Sequence, residues 1–238
     1  MGSSSADELD GLLRELAERR RNGGCRVLRF RLRHFAAKAE SAARRSADIV
    51  VASAAILALL PVFVATWAAI RLTSRGRAIF VQTRVGRHGR PFAFYKFRSM
   101  VEDAEKLRDG LICMNESSDG VIFKIQADPR VTPVGRIIRK LSINELPQLW
   151  NVVKGDMSLV GPRPPLPSEV AQYTPEERKR LDVRPGLTCL WQVSGRSEIP
   201  FNEQCRLDEE YIRTQGPWSD VKILLRTVPA IFSGRGAW

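Results

Sequence analysis

Histidine is nearly absent from this chain: His34 and His88 are the only two among 238 residues. The four cysteines, Cys25, Cys113, Cys189 and Cys205, stand far apart and form no C-x-x-C pair. Together these scarcities argue against a zinc site, whose ligands come as Cys and His clusters. Scattered cysteines fit a reducing compartment, although four could in principle form two bridges. Acid is also short, with 26 Asp and Glu against 38 Lys and Arg and a net charge of +12. That balance favours anionic partners: nucleic acid, anionic headgroups or phosphorylated substrates. No nucleic-acid-binding motif accompanies the charge. There is no internal repeat, and the one low-complexity run is Ser3–Ser5.

Charge itself disappears between Ile49 and Ile70, a run of 22 residues. At 1.5 Å per residue such a helix is about 33 Å long, enough for a ~30 Å hydrocarbon core. Asp48 is the lone charge at its edge, and Pro61 sits near its middle. A mid-helix proline removes a hydrogen bond and crowds the preceding turn. Residues 47–72 therefore read either as a kinked spanning helix or as one that enters a leaflet and returns. Arginines flank both ends (Arg44, Arg45; Arg71, Arg75, Arg77), so charge does not mark an inside and an outside. Residues 1–46 form a basic arm, with a helix capped by Asp7 and an arginine-rich stretch that suits a solvated helix or an anionic membrane surface.

Residues 73–238 read as a globular domain. Ala78–Val85 and Phe92–Met100 alternate as a β-hairpin, which would put Lys96 and Arg98 on one face. Met100–Arg108 suggests a helix, 109–120 a loop, Val121–Gln126 a strand and Asp128-Pro-Arg130 a turn. Pro133–Lys140 is a short helix. Thr174 and Glu177 form a capping box, and Leu187–Val193 reads as a strand. Phe201–Arg213 is a helix whose acidic run, Asp208 to Glu210, reads as a solvated face. The last helix is Trp218–Phe232, with Trp218 and Trp238 either at a headgroup layer or on the core. Helices dominate over a few short strands, so the expected class is α+β.

The most informative stretch runs from Arg139 to Pro165. Ser142-Ile-Asn-Glu145 matches a capping box, and Asn144 is the alternative cap, with Pro147 in the first turn. Either places residues 144–145 at a helix start that favours anions. Arg139 and Arg163 flank it, the latter inside Gly161-Pro-Arg-Pro-Pro165, and arginine suits bidentate phosphate contacts. Glu145 and Asp156 are candidate Mg²⁺ ligands, since that ion prefers carboxylate plus phosphate oxygens. From the residues alone, this is a membrane-anchored site for a phosphorylated substrate.

A set of motifs stands in order: Lys96-Phe-Arg-Ser-Met100, Asp128-Pro-Arg130, Glu145-Leu-Pro-Gln148, Gly155-Asp-Met-Ser158, Val160-Gly-Pro-Arg-Pro164, Arg184-Pro-Gly-Leu-Thr188 and Trp191-Gln-Val-Ser-Gly-Arg196. By these the chain resembles the bacterial sugar transferase family, the monotopic polyprenol-phosphate phosphoglycosyltransferases, over about residues 44–238. The resemblance implies a re-entrant helix broken at Pro61 and a cytoplasmic catalytic domain at the bacterial inner membrane. It implies transfer of a sugar 1-phosphate from a nucleotide diphosphate sugar, such as a UDP-hexose, to undecaprenyl phosphate, the initiating step of exopolysaccharide assembly. Mg²⁺ would be the cofactor and Glu145 its ligand. Arg139 and Arg163 would contact phosphate, with Lys96, Arg98, Asp128 and Arg130 as further substrate-binding candidates. Family members attack through the Asp of an Asp-Glu dyad, and here that position is Asn144. A neutral amide is a poor nucleophile. A branch using Glu145 or direct lipid-phosphate attack, a deliberately replaced nucleophile and a member with lost activity all fit. A membrane-tethered anion-binding protein is the competing class.

Overall fold

The computed structural model describes Phe35 and residues 39–107, 109–116, 123 and 125–233. The chain divides into two compact units, Met1–Ser46 and Ala47–Trp238. In the first, Phe35 and residues 39–46 are described and are helical. The helix capped by Asp7, most of the arginine-rich stretch and Trp238 lie outside the described residues.

The apolar run folds as two helices, α1 (Ala39–Ala58) and α2 (Leu60–Thr73), bent by 60° at their junction. Pro61 occupies the first turn of α2. Its missing N–H is no loss there, while its ring cannot share a turn with α1. The expected break at Pro61 therefore falls two residues earlier, at Leu59. Among the described residues no single helix is long and apolar enough to cross a membrane, but the bent pair passes that test together. Leu57, Leu60, Val64 and Trp67 near the bend are exposed. The segment's outer ends are held by the globular part. Ala52 is fully buried in a core with Leu149, Val152, Met157 and Val160. Ile70 packs with Ala78, Phe97 and Ile138, and the Phe63 ring meets Phe97 edge-on at 5.6 Å.

Strands β1 (Ile79–Val85) and β2 (Pro91–Phe97) pair antiparallel, with Phe80 opposite Lys96 and Gln82 opposite Phe94. His88 and Gly89 take positive φ in the connecting turn, the backbone handedness that suits a tight hairpin. The expected helix over Met100–Arg108 does not form. Residues 102–107 are turns, because the Val101 N–H is taken by Arg130 O (2.9 Å) and Met100 bridges to Val131. The expected loop after it contains a 3₁₀ helix, Asp109–Met114. The strand expected over Val121–Gln126 lies half outside the described residues; Phe123, Ile125 and Gln126 are not in a strand.

Helix α3 (Pro133–Lys140) starts where Thr132 Oγ1 accepts the Gly135 N–H at 2.9 Å. Helix α4 (Gln148–Lys154) ends at Gly155, whose φ of +98° allows its N–H to reach the Asn151 and Val152 carbonyls. Fully buried Asn151 pins α4 to β2: it donates to Ala93 O (2.6 Å) and accepts from the Tyr95 N–H (3.2 Å). Two short strands, β3 (Ser158–Val160) and β4 (Gly186–Thr188), pair in parallel. The longer strand expected over Leu187–Val193 stops at Thr188 because β3 offers only three residues to pair with; a 3₁₀ turn, Trp191–Val193, follows. Helix α5 (Pro167–Val170) lies between the two strands. The Thr174–Glu177 capping box forms, but it opens a 3₁₀ helix, Glu177–Leu181. Helices α6 (Phe201–Thr214) and α7 (Pro217–Ser233) close the described chain, with Trp218 exposed on α7. Two two-stranded sheets among helices agree with the α+β expectation.

Candidate active site

Backbone conformation first frees the central carboxylate. Ser142 adopts a left-handed φ of 55° and its side chain caps nothing. The following residues, Ile143–Glu145, form a single 3₁₀ turn before α4. The capping box expected from Ser142 and Glu145 is thus absent, and Asn144 does not cap α4 either. The Glu145 carboxylate points instead at a wall of cations. Its Oε1 meets Lys96 Nζ at 3.3 Å and Arg163 Nη1 at 3.5 Å. The three side chains remain 17 to 34% exposed, so solvent and ligands reach them.

The hairpin supplies one side of this wall. On its inner face, Lys96 Nζ stands 5.1 Å above the Phe94 ring and the Arg84 guanidinium stands 5.4 Å from the same ring. Arg84 donates to Gln82 Oε1 (3.1 Å) and to Pro164 O (3.0 Å). Arg84 thereby holds the loop that carries Arg163. That loop is also fixed by Val85 N–H to Pro165 O (2.9 Å) and Gly186 N–H to Pro162 O (2.9 Å), with Pro162 and Pro164 fully buried. Gly161 and Gly186 let β3 and β4 approach: a Cβ on Gly186 would lie 2.0 Å from Gly161 N.

Electrostatics follow from crowding. Burial, then the nearby Arg163 and Arg84, pull the Lys96 ammonium down to about 7 against the opposing pull of Glu145. Burial pushes the Glu145 carboxyl up, but Lys96, Arg163 and Arg196 overcome it and hold it below its ordinary value. Burial lowers Arg84 to about 10, and Arg163 adds to that. Burial also lowers Arg139, against the pull of Asp128 and Glu145, and Arg196, against that of Glu145. Such a concentration of cations around one carboxylate is complementary to a polyanion.

Arg139, Asn144, Glu145, Arg163, Lys96 and Arg196 line one cleft of about 1500 Å³. Arg98 and Arg130 line the same cleft, with their side chains also bonded within the fold. Strand β2 ends at Phe97, so Arg98 does not share a strand face with Lys96; its Nη2 donates to Ser74 Oγ (2.7 Å) and Ser74 O (3.2 Å), holding the end of α2. Arg130 is committed to Asp128 (Nη2–Oδ2, 2.6 Å; Nε–Oδ1, 2.9 Å) and to Ala104 O (3.0 Å). Asp156 accepts from Lys154 (3.2 Å) and Asn151 (3.2 Å), and it is not on the cleft wall. Among the described residues no three His, Cys, Asp or Glu side chains group as a metal site. Arg84 and Arg196 are the site residues that sequence reasoning missed. The period-two pattern of β1 held the signal for Arg84, since it shares a face with Gln82 and, across the pair, with Phe94.

Comparison with known proteins shows the family. The model for bacterial sugar transferases matches residues 39–234. "Galactosyl transferase CpsE" of Streptococcus agalactiae is 52% identical over 163 residues, which is 68% of this chain and 36% of that protein. "Undecaprenyl-phosphate galactose phosphotransferase" of Salmonella typhimurium is 38% identical over 216 residues, 89% of this chain and 45% of that protein. The chain thus spans less than half the length of these two relatives. It spans 88% of "Exopolysaccharide production protein ExoY" of Rhizobium meliloti, at 36% identity and with 82% of this chain covered. With the match running from α1 through α7 and enclosing every residue of the cleft, the chain belongs to the bacterial sugar transferase family.

Proposed function

We propose that this chain transfers a sugar 1-phosphate from a nucleoside diphosphate sugar, a UDP-hexose, to undecaprenyl phosphate and so starts assembly of an exopolysaccharide. The observation that carries the reading is the Glu145 carboxylate ringed by Lys96, Arg163, Arg139, Arg196 and Arg84 at an open cleft. A diphosphate brings the negative charge that this ring lacks, and arginines hold it by paired N–H donors. In the transfer, an oxygen nucleophile bonds to the sugar-bearing phosphorus while that phosphorus loses its bond to the UMP oxygen. The arginines stabilise the charge that builds on the leaving UMP. The names of the relatives from Salmonella, and of the "UDP-galactose-lipid carrier transferase" of Erwinia amylovora, support the same pair of substrates.

Glu145 is the residue that would hold Mg²⁺. Its cation contacts fall on Oε1, and one carboxylate with substrate phosphates and water is a common Mg²⁺ donor set. Bound there, the ion supplies neutralisation of the diphosphate. Asp156 meets Lys154 and Asn151 away from the cleft wall, so this reading rests the metal on Glu145. The bent pair α1–α2 enters and leaves the bacterial inner membrane on the cytoplasmic side, a reading supported by both of its ends packing on the same globular unit.

Asn144 lines the cleft beside Glu145. The test is Mg²⁺-dependent UMP release across a panel of nucleotide sugars, with undecaprenyl phosphate in lipid nanodiscs. Asn144→Asp raises UMP release and yields a covalent sugar-phosphate adduct on residue 144. Complete absence of release in both forms would leave the membrane-tethered anion-binding protein as the better reading.

A further inference from the structure

Asp48 is the lone charge of the apolar stretch, and it is buried, not solvated. Its Oδ2 accepts the Ser158 hydroxyl at 2.7 Å and its Oδ1 accepts the Leu159 N–H at 3.1 Å, 110 and 111 positions along the chain. These contacts fall on β3, four residues before Arg163. The Ser158 N–H points across to Pro185 O (2.8 Å), beside β4. Successive N–H groups of a strand point to opposite sides, so that of Leu159 faces away from β4. No third strand pairs there; among the described residues β3 and β4 form a sheet of two. The carboxylate of α1 stands where that third strand would be and satisfies a buried donor.

From Ser158 to Pro165 the backbone is then held almost residue by residue: Asp48 at Leu159, Thr188 O at Gly161, Gly186 at Pro162, Arg84 at Pro164 and Val85 at Pro165. Asp48 is the contact in this series that comes from the apolar helix pair. We propose that Asp48 is a positioning residue: by capping the free edge of β3 it makes the placement of Arg163 depend on α1 being seated against the globular unit. A chain whose apolar helix is unseated has a displaced Arg163 and a weakened hold on phosphate. The inference rests on the reading of Arg163 as a phosphate-holding group.

The test uses the full chain in lipid nanodiscs, with Asp48→Ala, Asp48→Asn and Ser158→Ala compared by amide hydrogen exchange and by calorimetric titration with UDP. Asn keeps both bonds, since its carbonyl accepts from Leu159 and its amide donates to Ser158 Oγ. Asp48→Ala and Ser158→Ala speed exchange locally over residues 159–163 and weaken UDP binding about tenfold, the scale of one lost buried hydrogen bond, while Asp48→Asn stays near the unmodified chain. Unchanged exchange over 159–163 in Asp48→Ala overturns the proposal. So does a rise spread evenly over the whole domain in Ser158→Ala, which would make the contact one of general stability. Should Asp48→Ala fail to fold, Ser158→Ala decides alone. An unmodified chain that does not bind UDP counts against the donor reading, and the exchange arm still decides the coupling.

Discussion

Two carboxylate–arginine pairs in this protein have the same chemistry and opposite situations. Asp208 on α6 is fully enclosed with Arg180, whose other amino group donates to Tyr173 Oη at 3.2 Å and whose guanidinium lies 5.6 Å from the Phe201 ring. Glu145 is held at 3.5 Å by Arg163 and shares its oxygen with Lys96. The first pair is closed. Its cation faces one carboxylate and two rings, so its charge is balanced inside the fold, although Arg180 Nε and Asp208 Oδ1 have no hydrogen-bond partner among the described residues. The second is open, with several cations for one acid. Charge balance, rather than the presence of an ion pair, separates scaffold from site. Asp128–Arg130 falls with the closed kind, its side chains 6 and 8% exposed.

The closed pair breaks hardest. Asp208→Ala leaves the Arg180 charge buried and is expected to cost about 3–5 kcal/mol of stability, read by denaturant unfolding; Arg163→Ala should cost less than about 1 kcal/mol while abolishing tight UDP binding. Next in size is the open acid: Glu145→Gln should lower UMP release roughly 10²- to 10³-fold, as loss of a site's key electrostatic group does, with the melting temperature nearly unchanged. The smallest effect is a pH step. The folded-state pKa of Lys96 is depressed to about 7 from 10.5, so the cluster loses one positive charge as pH rises through about 7. UDP affinity should fall across that step, and Lys96→Arg should remove it. A flat profile in the unmodified chain would show that Lys96 does not contribute its charge to the cleft.

The same contrast explains what the chain's order of residues could and could not reveal. Helices α3, α6 and α7, the hairpin and the proline loop around Arg163 are local: capping, periodicity and ring-restricted φ angles specify them. The partners of charged groups are not local. Asp208 reads as the start of a solvated acidic run because Arg180 lies 28 positions away. Arg98 reads as a neighbour of Lys96 because alternation does not announce that β2 ends at Phe97. Ser142 and Glu145 match a capping box, and only the left-handed turn at Ser142 redirects the carboxylate. Arg84 joins the site through hairpin register and a carbonyl 80 residues away.

The two glycines where β3 meets β4 set a limit on how this protein can be altered. With less than the width of a methyl group between Gly186 and the backbone at Gly161, any side chain at either position would wedge the strands apart and swing the loop between them. Variation aimed at reshaping the cleft must therefore leave residues 161 and 186 untouched. The cleft can be recarved along its walls, while this seam keeps the loop that carries Arg163 in place.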